Sequence, residues 1–296
     1  MNIRLQPLDN RKRSEITLGI HRAAFDSAFA DGVVNFIDRD QLPLMWRHMD
    51  LNLVSARRSV FDQTEFGRQF IAYTLIFKRV LVGGIWVPKF MVYLRNKLNN
   101  EVRLAAALSL GAGGHVEDKT DKRYYMVREE VGDGFIETEE VDVEQTMYAN
   151  YLREIAEEIR LIGGPAMGGL PEPKILGIVA DSKPEKGYVG NSHLGFIYAF
   201  EVHEDTDFDM VEPLNDRIGW FTPGELMKGI EGQPDFEPWS KLIIQQIGRV
   251  AALVCDWPTL ELSDAAFEEL QRLSESNASP TPALVELMSR RPVFGE

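Results

Sequence analysis

Apolar residues along this chain recur with two periods, and the change from one to the other divides it. Up to about residue 65 the pattern reads as mainly helical and polar, with Ile20 to Phe25 and Leu42 to Leu53 as the segments. From Gln69 it changes. Phe70-Ile71-Ala72-Tyr73-Thr74-Leu75-Ile76-Phe77 is rich in β-branched and aromatic residues and predicts a buried strand, with Phe90 to Arg95 as a second. Asn99-Asn100-Glu101 reads as a turn, and Leu104 to Leu110 leads into the bend Gly111-Ala112-Gly113-Gly114. Gly132-Asp133-Gly134 between Tyr124–Arg128 and Phe135–Thr138 signals a hairpin. Asp142, with Gln145 three residues on, opens a helix as a capping box, and Gly163-Gly164-Pro165 ends it. Ile175–Ala180, Leu194–Val202 and Ile218–Phe221 are strand-like. Thr222-Pro223-Gly224-Glu225 starts a helix with Thr222 as cap and Pro223 at the first position. Helices are predicted from about Trp239 to Val254, from Ser263 to Leu273, and again at the C-terminus after a polar linker.

Composition narrows the class. With 44% apolar and 26% charged residues, the chain has what an ordinary globular core needs. Its net charge of −14 argues against nucleic acid as a partner, because phosphate backbones are held mainly by Lys and Arg. Cys255 is the single cysteine, expected to be buried and inert, so no intrachain disulfide forms. No apolar run approaches the roughly 20 residues of a membrane span, and the N-terminus has no signal core. The expectation is a cytoplasmic protein without membrane contact; a homodimer stays open.

The predicted helix after Asp142 holds the chemistry. At about 100° per residue, Glu154, Glu157 and Glu158 fall within an arc of roughly 100°, behind Arg153. Leu152, Ile155, Ile159 and Ile162 take a separate arc, the stripe of a helix packed on a core. Like charges at this spacing cost a few tenths of a kcal/mol per pair. Hard oxygen ligands so placed suit Mg²⁺ or Mn²⁺; the plain alternative is a solvated acidic face. Gly111-Ala112-Gly113-Gly114 lacks the lysine and the immediate helix of a nucleotide-type phosphate loop. His115 and His193 read as structural hydrogen-bonding residues, Trp220 and Phe221 as core, and Lys183 and Lys186 as a solvated loop that could instead meet phosphate or ribose.

These motifs together resemble the Nudix hydrolases. Gly114 would open that family's box, Arg153-Glu154-Ile155-Ala156-Glu157-Glu158 would be its core and Leu161 its closing aliphatic. The Gly-Gly-His-Val-Glu bend and Trp220-Phe221-x-x-x-Glu225-Leu226 are also similar, and the likeness spans roughly residues 68 to 250. Ser109 to His115, with Glu237-Pro238-Trp239-Ser240, resembles a subgroup described as predicted phosphoesterases. Three positions depart from the pattern. The gap from Gly114 to Arg153 is about 25 residues longer, tolerable as a hairpin because loop closure costs grow slowly. The box glutamate eight before Arg153 is Gln145, with Glu144 beside it as a substitute. The glycine after Glu-Glu-x is Arg160.

The resemblance implies an α/β protein: a Nudix-type α/β/α sandwich with a mixed sheet, an N-terminal helical extension (1–67), the hydrolase domain (68–255, with 118–141 inserted) and a C-terminal helical tail (256–296). It implies that Glu154, Glu157 and Glu158, with the Gly113 carbonyl, hold Mg²⁺ or Mn²⁺. Arg153 would orient a box carboxylate through a two-pronged ion pair. Glu154 is alternatively the general base, as are Glu185, Glu201, Glu204 and Glu212. The implied substrate is a small nucleotide, a nucleoside diphosphate linked to another moiety, or another diphosphate, cleaved at the diphosphate bond. The rivals are a nucleotide-binding sensor of the same fold and, last, an isoprenoid-diphosphate isomerase, which needs a cysteine that Cys255 does not supply from within the core region.

Overall fold

Two strands with nearly continuous apolar sequence set the architecture. The computed structural model describes residues 15–63, 66–82, 85–95, 107–131, 134–164, 170–181, 192–211 and 215–255. The N-terminal part contains β1 (Ile16–His21), α1 (Arg22–Ala28), β2 (Val33–Phe36), α2 (Leu42–Leu51), β3 (Leu53–Arg57) and α3 (Arg58–Gln63). Then come β4 (Gly67–Val82), β5 (Ile85–Arg95), β6 (Leu108–Ser109), β7 (Gly111–Ala112), β8 (Tyr124–Val131), β9 (Gly134–Val141) and α4 (Val143–Glu158). The chain continues through β10 (Ile159–Ile162), β11 (Lys174–Ala180), β12 (His193–Val202), β13 (Asp207–Met210) and β14 (Asn215–Phe221). Three helices follow: α5 (Pro223–Lys228), α6 (Pro238–Gln245) and α7 (Ile247–Val254).

β4 and β12 run parallel at the centre, from His193 beside Gln69 to Val202 beside Lys78. The sheet is ordered β14-β5-β4-β12-β11-β2, and its other pairings are antiparallel. Parallel neighbours are buried on both faces, which is why β4 and β12 read as apolar runs. Alternation then sorts their side chains into two cores. Phe70, Ala72 and Ile76 with Leu194, Phe196, Tyr198 and Phe200 meet α2 and α4. Tyr73, Leu75 and Phe77 with Ile197 and Ala199 meet α5, α6 and α7. The result is helix, sheet, helix. Among the described residues no helix is long and apolar enough to cross a membrane.

Several expectations change. The N-terminal segment is not mainly helical: β1 pairs with β3 and β4, and β2 pairs with β11, so this segment extends the central sheet. Its strands are only four to six residues long, too short for their period to show in the sequence. Ile20 to Phe25 straddles a boundary, because His21 caps α1 through its ring nitrogen. The acidic helix stops at Glu158 rather than near Gly163. Ile159 turns extended, and Ile159–Ile162 pairs with β13, opposite Met210 to Asp207. β-branched isoleucines gain there from cross-strand packing, so Ile159 and Ile162 leave the helical stripe. The single helix over 239–254 is two, interrupted at Gln246, whose N–H turns back to the Ile243 and Ile244 carbonyls. Thr222 and Glu225 form the expected capping box. Among the described residues β8 and β9 pair only with each other, as a two-stranded sheet. The 99–101 turn, the hairpin turn at 132–133, Lys183, Glu185, Lys186, Glu212 and the 256–296 tail lie outside the described residues.

Candidate functional site

α4 begins as its cap residue dictates. The Asp142 carboxylate accepts the Gln145 N–H at 2.9 Å, but the return bond of a capping box is replaced: Asp142 N–H donates to the Arg123 carbonyl at 2.9 Å. Gln145 lines an open groove of about 450 Å³ with Thr120, Asp121, Arg123, Tyr148, Leu152 and Arg153, but Arg153 turns its guanidinium to Asp121. Glu144 is likewise in the first turn, away from Glu154.

Two turns along, Arg153 organises the site. Its Nε and Nη2 donate to the two oxygens of Asp121, each at 2.9 Å, a forked pair. Nη2 also reaches the His115 carbonyl at 3.0 Å and Glu154 at 2.8 Å, while Nη1 meets Glu157 at 3.2 Å. Asp121 is 1% exposed; it also accepts the Glu117 N–H at 2.8 Å and Asn150 Nδ2 at 3.1 Å. Burial alone would lower the Arg153 pKa, but Asp121 and Glu154 outweigh it and raise it, so the guanidinium stays charged. The carboxylate that Arg153 grips is thus Asp121, a residue missed by counting back from Arg153. Counting forward from Gly114 leads to the Thr120–Asp121 step, because the hairpin β8–β9 intervenes after it.

The glycine bend comes next. Gly113 adopts φ +144, and a Cβ there would overlap the Ala72 carbonyl, so only glycine lets the bend lie on β4. Its N–H donates to Glu158 Oε2 at 3.1 Å. At Gly114 a Cβ would stand 2.5 Å from Glu154 Oε2, so the glutamate occupies the space that glycine leaves. Glu154 and Glu158, one turn apart, both close on Gly113-Gly114. Glu157 points to Arg153 and solvent, its side chain 58% exposed.

The electrostatics are one-sided. Glu154 is 8% exposed, and its pKa is pushed up to about 8 by burial, against the pull of Arg153 and with the help of Glu158, Glu157 and Asp121. Among the described residues Arg153 meets Asp121, Glu154 and Glu157 at ion-pair distance and Glu117 at 3.9 Å, so carboxylates outnumber it. Glu154 and Glu158 could hold a hard divalent cation, which would offset that surplus. Among the described residues no three His, Cys, Asp or Glu side chains already converge on one point. Glu157 would join them only by leaving Arg153.

The remaining candidates fall elsewhere. Glu201 is forked to Arg79 at 2.7 Å through both oxygens, and Glu204 lies exposed in a turn. His115 Nε2 and His193 Nε2 are 2.8 Å apart, a pairing that nothing in their sequence contexts announced. Trp220 is half-buried: its Nε1 donates to Asp207 at 3.0 Å and Lys78 Nζ lies over its ring at 4.8 Å. Arg160, in the position of the box glycine, is an exposed strand residue paired with Asp209 at 2.6 Å. Cys255 is buried in the core against α6 and α7, across the sheet from α4.

No family model matches the chain, and no curated protein sequence does. Solved structures do. The crystal structure of Tm1382, a candidate Nudix hydrolase, is 18% identical and covers 80% of this chain and 100% of its own, with a TM-score of 0.51. A MutT/Nudix family protein from Enterococcus faecalis is 10% identical over 73% of this chain and 75% of its own, but its TM-score of 0.33 carries no weight. At such identities likeness speaks for the backbone alone. The mixed sheet with helices on both faces is accordingly a Nudix-type α/β/α fold.

Proposed function

We propose that the protein is a Mg²⁺-dependent hydrolase, with Mn²⁺ as a substitute, that cleaves the diphosphate bond of a nucleoside diphosphate linked to another moiety. The observation that carries this reading is the closure of Glu154 and Glu158 on the bend Gly113-Gly114, with Arg153 locked behind them by Asp121. Glu154, Glu158 and, after rotation, Glu157 would hold the cation, with the Gly113 carbonyl as a further oxygen. When bound it would screen the diphosphate and stabilise charge on the leaving phosphate. Arg153 fixes the helix turn that presents the three glutamates. Glu154 is alternatively the general base in place of a ligand. In this reading residues 68–255 form the catalytic unit and 118–141 an insertion in it. Of the N-terminal extension, the described residues 15–63 add strands and helices to its sheet.

A catalytically silent nucleotide sensor is the second reading. The hold of Arg153 on Glu157 favours it. Isomerase chemistry has no support, since Cys255 lies behind the sheet. The two live readings part in one experiment: wild-type protein with a panel of nucleoside diphosphate derivatives, in Mg²⁺ and then in chelator. Mg²⁺-dependent release of a phosphate product is expected. Tight nucleotide binding with no cleavage across the panel would leave only the sensor.

A further inference from the structure

Two sequence motifs that lie more than a hundred residues apart meet beneath the glycine bend. Glu237 Oε1 accepts the Tyr73 hydroxyl at 2.6 Å and lies 2.7 Å from Ser109 Oγ. Ser240 Oγ accepts the Leu110 N–H at 2.9 Å and is 2.8 Å from the Tyr73 hydroxyl. Ser109 Oγ is also 2.9 Å from the Gly111 carbonyl. All four side chains are buried, Ser109 and Ser240 completely. Burial and Glu237 both raise the Tyr73 pKa, which keeps its hydroxyl a donor.

The ring of Tyr73 fills the space that a side chain at Gly111 would need. A network that pins this ring, the Leu110 N–H and the Gly111 carbonyl therefore fixes residues 109–111. Two residues later the same segment becomes the Gly113 N–H that Glu158 accepts, and then the floor on which Glu154 rests. A backbone fixed so close to the acidic site transmits small displacements directly to it. The network reaches the bend from α6, on the face of the sheet opposite α4. The one Ser109 hydroxyl proton is shared between Glu237 Oε1 and the Gly111 carbonyl, and buried hydrogen-bond networks of this kind favour one arrangement of their members.

We propose that Glu237, acting with Ser240 and Tyr73, is a positioning residue that holds the glycine bend in register with Glu154 and Glu158. This rests on the hydrolase reading for its catalytic consequence, but its structural consequence can be measured independently of any activity. Glu237→Ala removes the shared acceptor; Glu237→Gln keeps Oε1 and should preserve the network. Ser240→Ala is the milder loss.

The test compares full-length wild type, Glu237→Ala, Glu237→Gln and Ser240→Ala by amide hydrogen exchange at Gly113 and by Mn²⁺ affinity. It adds kcat and KM on whichever nucleoside diphosphate derivative the wild type cleaves. Expected in Glu237→Ala are Gly113 exchange at least tenfold faster, Mn²⁺ binding at least tenfold weaker and kcat at least tenfold lower, with KM within twofold. Ser240→Ala should shift the same quantities in the same direction, and Glu237→Gln should restore them to within threefold of wild type. Unchanged Gly113 exchange in folded Glu237→Ala or Ser240→Ala overturns the inference, as does Glu237→Gln being as impaired as Glu237→Ala. If wild type neither binds Mn²⁺ nor cleaves, the hydrolase reading fails, while Gly113 exchange still decides whether Glu237 positions the bend.

Discussion

Arg153 spends its donors on four acceptors, and their burial decides which one matters. The exposed contact to Glu157 belongs with surface pairs, worth about 0–1 kcal/mol. The fork to Asp121 is different. Asp121 is buried, so removing it leaves a half-buried guanidinium without its main partner, a loss of about 3–5 kcal/mol. Asp121→Ala should lower stability by that amount in urea unfolding, whereas Gln145→Ala, on an open groove, should stay within about 0.5 kcal/mol. The reverse ranking would show that Asp121 is not what holds Arg153. Helical spacing made it legible that Glu154 and Glu158 lie one turn apart on a shared face, but not that Glu157 turns to Arg153 and solvent. Asp121 was not legible, since its partner lies beyond a hairpin and only the fold brings the two together. The His115–His193 pair was hidden for the same reason: strand pairing, not sequence, places them side by side.

At the scale of elements, α4 starts in a crowded acidic corner. Asp50 on α2 accepts the Val143 N–H at 3.1 Å. Burial raises its pKa despite that bond, and Asp142 and Glu140 raise it further. A raised carboxyl contributes stability below its ordinary value near 4 and loses that contribution as pH rises through the raised one. Asp50→Asn should therefore melt increasingly above wild type as pH goes from about 4 to 7. A melting difference that is flat or shrinks with pH would contradict this. The hairpin β8–β9 poses a separate question, because a two-stranded sheet is only marginally stable alone. Its ends already meet, with Tyr124 opposite Val141 and the Asp142 N–H on the Arg123 carbonyl. Replacing residues 125–140 by an Asn-Gly turn should leave the melting temperature within about 4 °C, and a larger fall would make the hairpin part of the core. The sequence announced that hairpin, β4, β5, β11 and β12 through their apolar runs. It concealed β1, β2, β3, β10 and β13, whose four to six residues pair only because a neighbouring strand offers an edge.

For the whole molecule, the two helix layers divide the labour. α4 presents carboxylates from one face, while α6 and α7 back the sheet from the other, α6 bringing Glu237 and Ser240 beneath the bend. The sheet between them holds Gly113-Gly114 where the two contributions meet. Net charge of −14 disfavours an anionic substrate at long range, so a cation at the acidic end of α4 is what would make a diphosphate welcome there. Mg²⁺-dependent turnover of the best panel substrate by Glu154→Gln and Glu158→Gln, beside wild type, tests that claim most directly. Both amides keep the shape of the site and remove one charge each, so folding should be retained. The account predicts that kcat falls on the order of 10²-fold or more in each variant, with metal-free melting no lower than wild type for Glu154→Gln. Wild-type turnover in both variants would show that the carboxylates facing the glycine bend hold no catalytic cation.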